Sequence, residues 1–292
     1  MGDSQILGFI GTGVMGEPMC RNLAAHSGHR VLAWDPAPAP LERLRAQGVG
    51  VAASATEVAA LAGPMFLCLP GGVQLRSLCE SVLLPAARKG LTIVDLGTSG
   101  VALTREFAAR FATRGTDYAD APIARTREAA QQGTLSITVG ATPELFARIE
   151  PLLRCLGTEI THCGGAGSGQ LVKILNNMVL FQTVNALAEA LALGRRAGID
   201  AALLFDALSR GSADSFALRN HGMKAMLPGA YPERAFSVEY AVKDNGYALE
   251  LGRETGVRLR GAETVAAVLE EARAAGFGDA YYPVIARIID RV

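Results

Sequence analysis

The pattern of hydrophobic and polar positions changes character near residue 165. Before that point short apolar runs alternate with helical patterns: ILGFIG, RVLAWD, MFLCLP, LTIVDLG, DYADAPI and LSITVGA. Short apolar runs separated by amphipathic stretches predict strands joined by helices, hence an α/β fold with a doubly wound parallel sheet. After EITHCG, residues 159–164, no further strand is predicted. One helical pattern then runs over residues 168–197, roughly 45 Å at 1.5 Å per residue. The segments ALLFDALSR, FSVEYAVKDNGYALELG and TVAAVLEEARAAG predict further amphipathic helices. The expected organisation is an α/β domain over 1–165 and an all-α domain over 166–292, joined by the long helix. That helix is apolar enough to invite a transmembrane reading, but Lys173, Asn176, Asn177, Gln182, Asn185 and Glu189 interrupt it too often. A helix buried between domains or subunits fits better.

Charge and cysteine content narrow the classes. With 28 basic and 28 acidic residues, no global field draws the protein to nucleic acid or an anionic membrane, so any anion must be caught locally. The start, MGDSQILGFIG, fits neither a signal peptide nor a transit peptide. Five scattered cysteines without a C-x-x-C suggest reduced thiols in a cytoplasm. His26, His29, His162 and His221 are dispersed, and no metal-ligand spacing occurs, so a zinc mechanism is not expected.

The first apolar run leads directly into GTGVMG, which places Gly11, Gly13 and Gly16 as G-x-G-x-x-G at a strand-to-helix turn. Gly11 permits the tight turn, Gly13 lets a pyrophosphate approach the backbone, and Gly16 lets helix and strand pack closely. Thr12, Val14 and Met15 complete that turn. The next strand ends at Asp35, where a carboxylate can accept hydrogen bonds from an adenosine ribose. It would repel a 2′-phosphate, and no basic residue follows until Arg43, so NAD is favoured over NADP. The bland alternative is that Asp35 caps the following turn. Two further strand ends join the candidate site: CLPGG with Leu69 and Pro70, and VDLGTSG with Thr98, a reasonable contact for the nicotinamide end.

On the long helix Gln170, Lys173, Asn177 and Phe181 recur at intervals of three and four and share one face. Lys173 could be a snorkelling lysine, but Asn177 one turn on gives the same face a neutral donor and acceptor, which suits a site better than a surface. Phe236, Tyr240, Lys243 and Tyr247 form a second stripe, with Lys243 beside Asp244. Alone, that stripe reads as core with one charged edge.

Taken together, GFIGTGVMGEPMCRNL, DAPI, GTLSITVGA, GGAGSGQLVKILNN and VKDNGYAL resemble the β-hydroxyacid dehydrogenase family, the group of 3-hydroxyisobutyrate dehydrogenase and tartronate semialdehyde reductase. The resemblance spans nearly the whole chain. It implies a Rossmann domain that binds NAD or NADP, an all-α domain of the kind found in 6-phosphogluconate dehydrogenase, and a site made by both. It further implies that Lys173 is the catalytic lysine, that Asn177 helps hold the substrate, and that Lys243 lies near the nicotinamide and the substrate. The implied substrate is a small anionic 3-hydroxy acid or its semialdehyde. Hydride transfer to or from an alcohol carbon needs one positioned acid/base group for the alcohol oxygen, and Lys173 suits that role independently. A homodimer or homotetramer is expected.

One departure from the family pattern stands out. Its usual Asp-Ala-Pro-Val-Ser-Gly-Gly presents small residues to a substrate carboxylate, whereas here Ala124, Arg125 and Thr126 occupy those last positions. Arg125 and Thr126 are expected to contact the substrate anion, Arg125 adding a fixed cation with a fork of donors. The opposing reading turns Arg125 to solvent or pairs it with Glu128. An Arg-Thr pair here is similar to the sulfolactaldehyde reductase branch, which gives one alternative. Others are an imine reductase, against which Lys173 argues, and a non-catalytic dinucleotide-binding protein.

Overall fold

The computed structural model describes residues 5–233 and 235–291. The chain divides into two compact units between Lys173 and Ile174.

In the first unit β1 (Ile6–Ile10) leads to α1 (Gly16–His26), β2 (Arg30–Trp34), α2 (Pro38–Arg45) and β3 (Gly50–Val51). Then come α3 (Ala55–Leu61), β4 (Pro64–Leu67), α4 (Gly72–Leu78), α5 (Leu84–Ala86), β5 (Thr92–Asp95), α6 (Val101–Ala112) and β6 (Asp117–Asp120). The remainder is β7 (Ile123–Ala124), α7 (Arg127–Gln132), β8 (Leu135–Gly140), α8 (Pro143–Leu153) and β9 (Gly157–Gly164). Among the described residues these strands form one nine-stranded sheet in the order β3-β2-β1-β4-β5-β6-β8-β7, with β9 on β8. From β3 to β6 every pairing is parallel. The parallel strands are apolar in both directions because both faces are covered. Leu7, Phe9, Phe66 and Val94 pack into a core with α1 and α8, while Ile10, Met65, Leu67 and Ile93 pack into a second with α3 and α6.

The sheet is dominated by parallel pairing, as expected, and departs from it at the far end. The run DYADAPI is two strands, β6 and β7, and β8 returns antiparallel to both. Only a six-residue helix, α7, lies between β7 and β8, too short for the crossover a parallel neighbour needs, so the chain folds back. β9 pairs parallel to β8.

The second unit is helical: the rest of α9 (Ser168–Arg196), then α10 (Ala201–Ser209), a π-helical segment Leu218–Met226, α11 (Val238–Thr255), α12 (Arg260–Ala272) and α13 (Ile285–Ile289). Local chemistry marks the ends of α11: the Ser237 hydroxyl accepts from Tyr240 N, and Gly256 closes the helix at φ 73°. Phe181, Leu191, Phe205, Leu218, Val265 and Tyr282 belong to its core. His221 is part of this core beside Tyr281, and burial pushes its imidazole down to about 4, so it is neutral at ordinary pH. The two compact units divide inside α9, whose first turns are hydrogen-bonded to the sheet, as described next.

Candidate active site

The carboxyl-end edge of the sheet is built as a staircase of backbone bonds. Gly11 N donates to Trp34 O, Cys68 N to Ile10 O, Leu96 N to Leu67 O, and Ala121 N to Asp95 O. Each loop is thereby fixed to its neighbour, which brings the glycine turn, Leu69–Pro70, Thr98 and the Asp120–Pro122 segment onto one edge. Ligands of open α/β sheets bind beyond such an edge.

The glycine turn fits a dinucleotide. Gly11 has φ 95°, and a Cβ there would lie 2.3 Å from Cys68 O, while a Cβ on Gly16 would lie 2.0 Å from Gly11 O. Both glycines are required by the protein itself. Gly13 is different: a Cβ there would meet no protein atom within 4 Å. The open space at Gly13, the fully buried but unpartnered Thr12 Oγ1 and the exposed Val14 beside a partly buried Met15 leave a concave backbone cradle where a pyrophosphate would approach. Asp35 accepts from Thr12 N at 2.6 Å and from Ala37 N at 2.8 Å. It therefore caps the following turn and also ties β2 to the glycine turn, with lone pairs remaining on its oxygens for a ribose hydroxyl. Arg43, the first basic residue after it, is held by Glu17 through two 2.7 Å hydrogen bonds, and that pairing lowers the Glu17 pKa. Burial, reinforced by Asp95 and Asp35, pushes the Cys68 thiol up to about 12, so it stays protonated and is no nucleophile.

The start of α9 is tied to the same edge. Fully buried Asp120 accepts from Gly167 N at 2.7 Å and Gln170 N at 2.8 Å. Burial raises its carboxyl above the usual range, opposed by those backbone donors. The approach is close: a Cβ on Gly169 would lie 2.4 Å from Thr138 O, and one on Gly140 would lie 2.4 Å from Asp120 Oδ1. Gln170, also fully buried, donates from Nε2 to Gly97 O at 2.8 Å and accepts at Oε1 from Ser99 N at 3.2 Å. One turn later is Lys173, 9% exposed. Among the described residues α9 alone is long and apolar enough to span a bilayer by composition. The buried amides of Gln170, Asn177 and Asn185 on it, however, each donate to a partner within the protein.

In the helical unit Asn177 and Lys243 meet through Asp244. Asn177 Nδ2 donates to Asp244 Oδ2 at 2.8 Å, and Lys243 Nζ lies 2.7 Å from Asp244 Oδ1. The Asp244 carboxylate, 2% exposed, is thus paired and hydrogen-bonded, as a buried charge must be. The rings of Tyr240 and Tyr247 lie 5.7 and 5.1 Å from Lys243 Nζ, so the stripe predicted on α11 is a cation seat rather than plain core. Sequence reasoning noticed Asp244 only as a neighbour of Lys243. The signal it missed was spacing: a carboxylate one residue past a lysine sits on a different helix face and can reach a second helix.

The substrate-loop expectation meets a different geometry. Arg125 has φ 85°, the only positive φ among described non-glycine residues, at the position where the family pattern has glycine. Its Nη1 donates to Thr134 O at 2.6 Å and Thr158 Oγ1 at 3.2 Å. Arg125 is exposed, but it neither points freely into solvent nor pairs with Glu128, which instead accepts from Gln132. Thr126 is the N-cap of α7, its hydroxyl accepting from Ala129 N at 3.4 Å. Ala124 pairs with Ser136 in the β7–β8 ladder.

Comparison with known proteins agrees with this architecture. Residues 6–165 match the NAD binding domain of 6-phosphogluconate dehydrogenase, and residues 167–289 match the NAD-binding domain of NADP-dependent 3-hydroxyisobutyrate dehydrogenase. The chain is 34% identical over 274 residues to 2-(hydroxymethyl)glutarate dehydrogenase of Eubacterium barkeri, covering 93% of this chain and 90% of that one. It is 34% identical over 255 residues to 2-hydroxy-3-oxopropionate reductase of Escherichia coli, covering 87% and 86%. The solved structure of Mycobacterium tuberculosis 3-hydroxyisobutyrate dehydrogenase with L-serine superposes with a TM-score of 0.90 at 30% identity, covering 99% of this chain and all of that one. Imine reductase structures, such as one from a Pseudomonas species at 19% identity, share the fold alone. With two family profiles spanning both units and relatives aligned over most of their length, the chain belongs to the β-hydroxyacid dehydrogenase family and is an NAD(P)-dependent oxidoreductase.

Proposed function

We propose that the protein interconverts a small 3-hydroxy acid and its semialdehyde with NAD, Lys173 serving as the general acid/base. The observation that carries this reading is Lys173 itself: a buried lysine one turn beyond a residue hydrogen-bonded to the cofactor edge. A nicotinamide held at this edge would supply the hydride chemistry, as acceptor in oxidation of the alcohol carbon and donor in reduction. Lys173 takes the hydroxyl proton as the carbonyl forms, and gives it back in the reverse direction. Asn177 holds the substrate oxygen, its carboxamide oriented by Asp244. Lys243 supplies positive charge, kept in place by Asp244 and flanked by Tyr240 and Tyr247. Asp35 receives the adenosine ribose and would repel a 2′-phosphate, and Arg43, the first basic residue after it, is engaged by Glu17, which favours NAD over NADP. Free thiols at all five cysteines suit a cytoplasmic setting. The exposed apolar positions Val172, Leu175 and Val179 of α9 suit self-association.

The substrate's acid group is received at Ala124–Thr126. A second reading is favoured by the Eubacterium barkeri relative, whose name gives a dicarboxylic substrate. A guanidinium offers five donors, and Arg125, pinned through Nη1, would turn its Nε and Nη2 edge to a second acidic group. The test is steady-state kinetics on 3-hydroxy monoacids, dicarboxylic analogues and 2,3-dihydroxypropane sulfonate, with NAD+ and NADP+. Lys173→Ala should lower kcat by about 100-fold or more while still binding dinucleotide; retained turnover would remove the acid/base assignment. Loss of dicarboxylate or sulfonate preference in Arg125→Gly would establish the second reading over the first.

A further inference from the structure

We propose that Gln170 is a positioning residue, which holds the turn bearing Lys173 in register with Thr98 at the nicotinamide end of the edge. This rests on the reading of Lys173 as the acid/base group. The side-chain amide of Gln170 acts as a peptide group would in a sheet: it donates to Gly97 O and accepts from Ser99 N, on either side of Thr98. Its own backbone N–H donates to Asp120, at the end of the strand paired with β5. Gln170 is therefore tied to two adjacent strand ends at once. Gly97 in turn lies against Leu69, whose carbonyl oxygen would be 3.1 Å from a Cβ at that position.

The amide is fully buried, so water cannot replace either bond. A carboxamide supplies a donor and an acceptor side by side without charge. Lys173 follows three residues later on the same helix face, about 4.5 Å along the axis. A shift of α9 along the sheet edge would thus move the lysine against the position of the reacting carbon. No contact of Gln170 with substrate or cofactor is implied.

The experiment compares wild type, Gln170→Met, Gln170→Glu and Lys173→Ala as full-length proteins. Dinucleotide affinity is read from the fluorescence of Trp34, the single tryptophan, which ends β2 next to Asp35. In Gln170→Met, of similar length but without hydrogen bonds, kcat should fall about 100-fold, the penalty of an ångström-scale misplacement. KM for the hydroxy acid and Kd for the dinucleotide should stay within about threefold, which separates lost transition-state alignment from lost binding. In Gln170→Glu the carboxylate faces Gly97 O unfavourably, and its protonation restores a donor there. The ratio of its kcat to that of wild type should therefore rise as pH falls. Gln170→Met with wild-type kcat, or with its loss confined to melting temperature or dinucleotide affinity, would overturn the proposal. Should Gln170→Met not fold, the Gln170→Glu profile decides: a rising ratio supports the role and a flat ratio overturns it. An inactive Lys173→Ala beside a fully active Gln170→Met would refute positioning alone, whereas an active Lys173→Ala would refute both this and the acid/base reading.

Discussion

Two loops of the first unit ask the backbone for the same rare conformation and obtain it from opposite residues. After β1, Gly11 sits at φ 95°; after β7, Arg125 sits at φ 85°. At Gly11 no alternative exists, since a Cβ would collide with the Cys68 carbonyl. At Arg125 the side chain runs outward, and the strain of positive φ, about 1–3 kcal/mol for a residue with a Cβ, is offset by its bonds to Thr134 and Thr158. A left-handed loop position in this protein can therefore reflect steric necessity or merely conformational ease, and only the second kind leaves room for a functional side chain.

The strongest way to break the comparison is Gly11→Ala. It combines positive φ with a backbone collision and should destabilise the protein by about 3 kcal/mol or more, read from urea unfolding; a variant near wild-type stability would show that the turn can rearrange. Gly13→Ala should separate folding from binding. Its methyl meets open space, so stability should stay within about 0.5 kcal/mol. Dinucleotide Kd, followed by Trp34 fluorescence, should rise at least about tenfold, equivalent to about 1.4 kcal/mol, and an unchanged Kd would remove the pyrophosphate from that cradle. At the second loop Arg125→Ala should be less stable than Arg125→Gly by about 1 kcal/mol, because both lose the guanidinium bonds and only glycine relieves the strain. The reverse order would mean that the backbone there is not held left-handed in solution. The smallest effect belongs to Thr126→Ala. Its capping bond is long at 3.4 Å, and thermal unfolding should show a loss of about 0.5 kcal/mol.

Much of the fold was legible. Strands with both faces buried announce themselves as apolar runs, and the change of period at α9 marks the helical unit. The short strand β3 and the division of DYADAPI into β6 and β7 were not, because a two-residue strand carries no periodicity. Among the candidate residues, the glycine turn, Asp35, Thr98 and Lys173 in the first unit, and Asn177 and Lys243 in the second, stand out by motif or by their place on an apolar face. The residues that hold them do not. Asp120 and Asp244 look like ordinary polar residues, and Gln170 shows only the helix face it shares with Lys173, until their partners are known, and those partners lie far along the chain: Gly97 from Gln170, Gly167 from Asp120, Asn177 from Asp244.

By itself the sequence determined what depends on neighbours a few residues apart: the strand-and-helix alternation, the G-x-G-x-x-G turn, and the shared face of Gln170, Lys173 and Asn177. Helix and strand periods, capping and glycine chemistry are local, so they can be read from the chain. Only the tertiary structure decided where Arg125 points, that Asp35 joins two loops, that β8 runs backward, and that the amide of Gln170 spans Thr98. Each of these is a pairing of groups brought together by long-range packing, and buried donors and acceptors must be satisfied by whatever the fold places beside them.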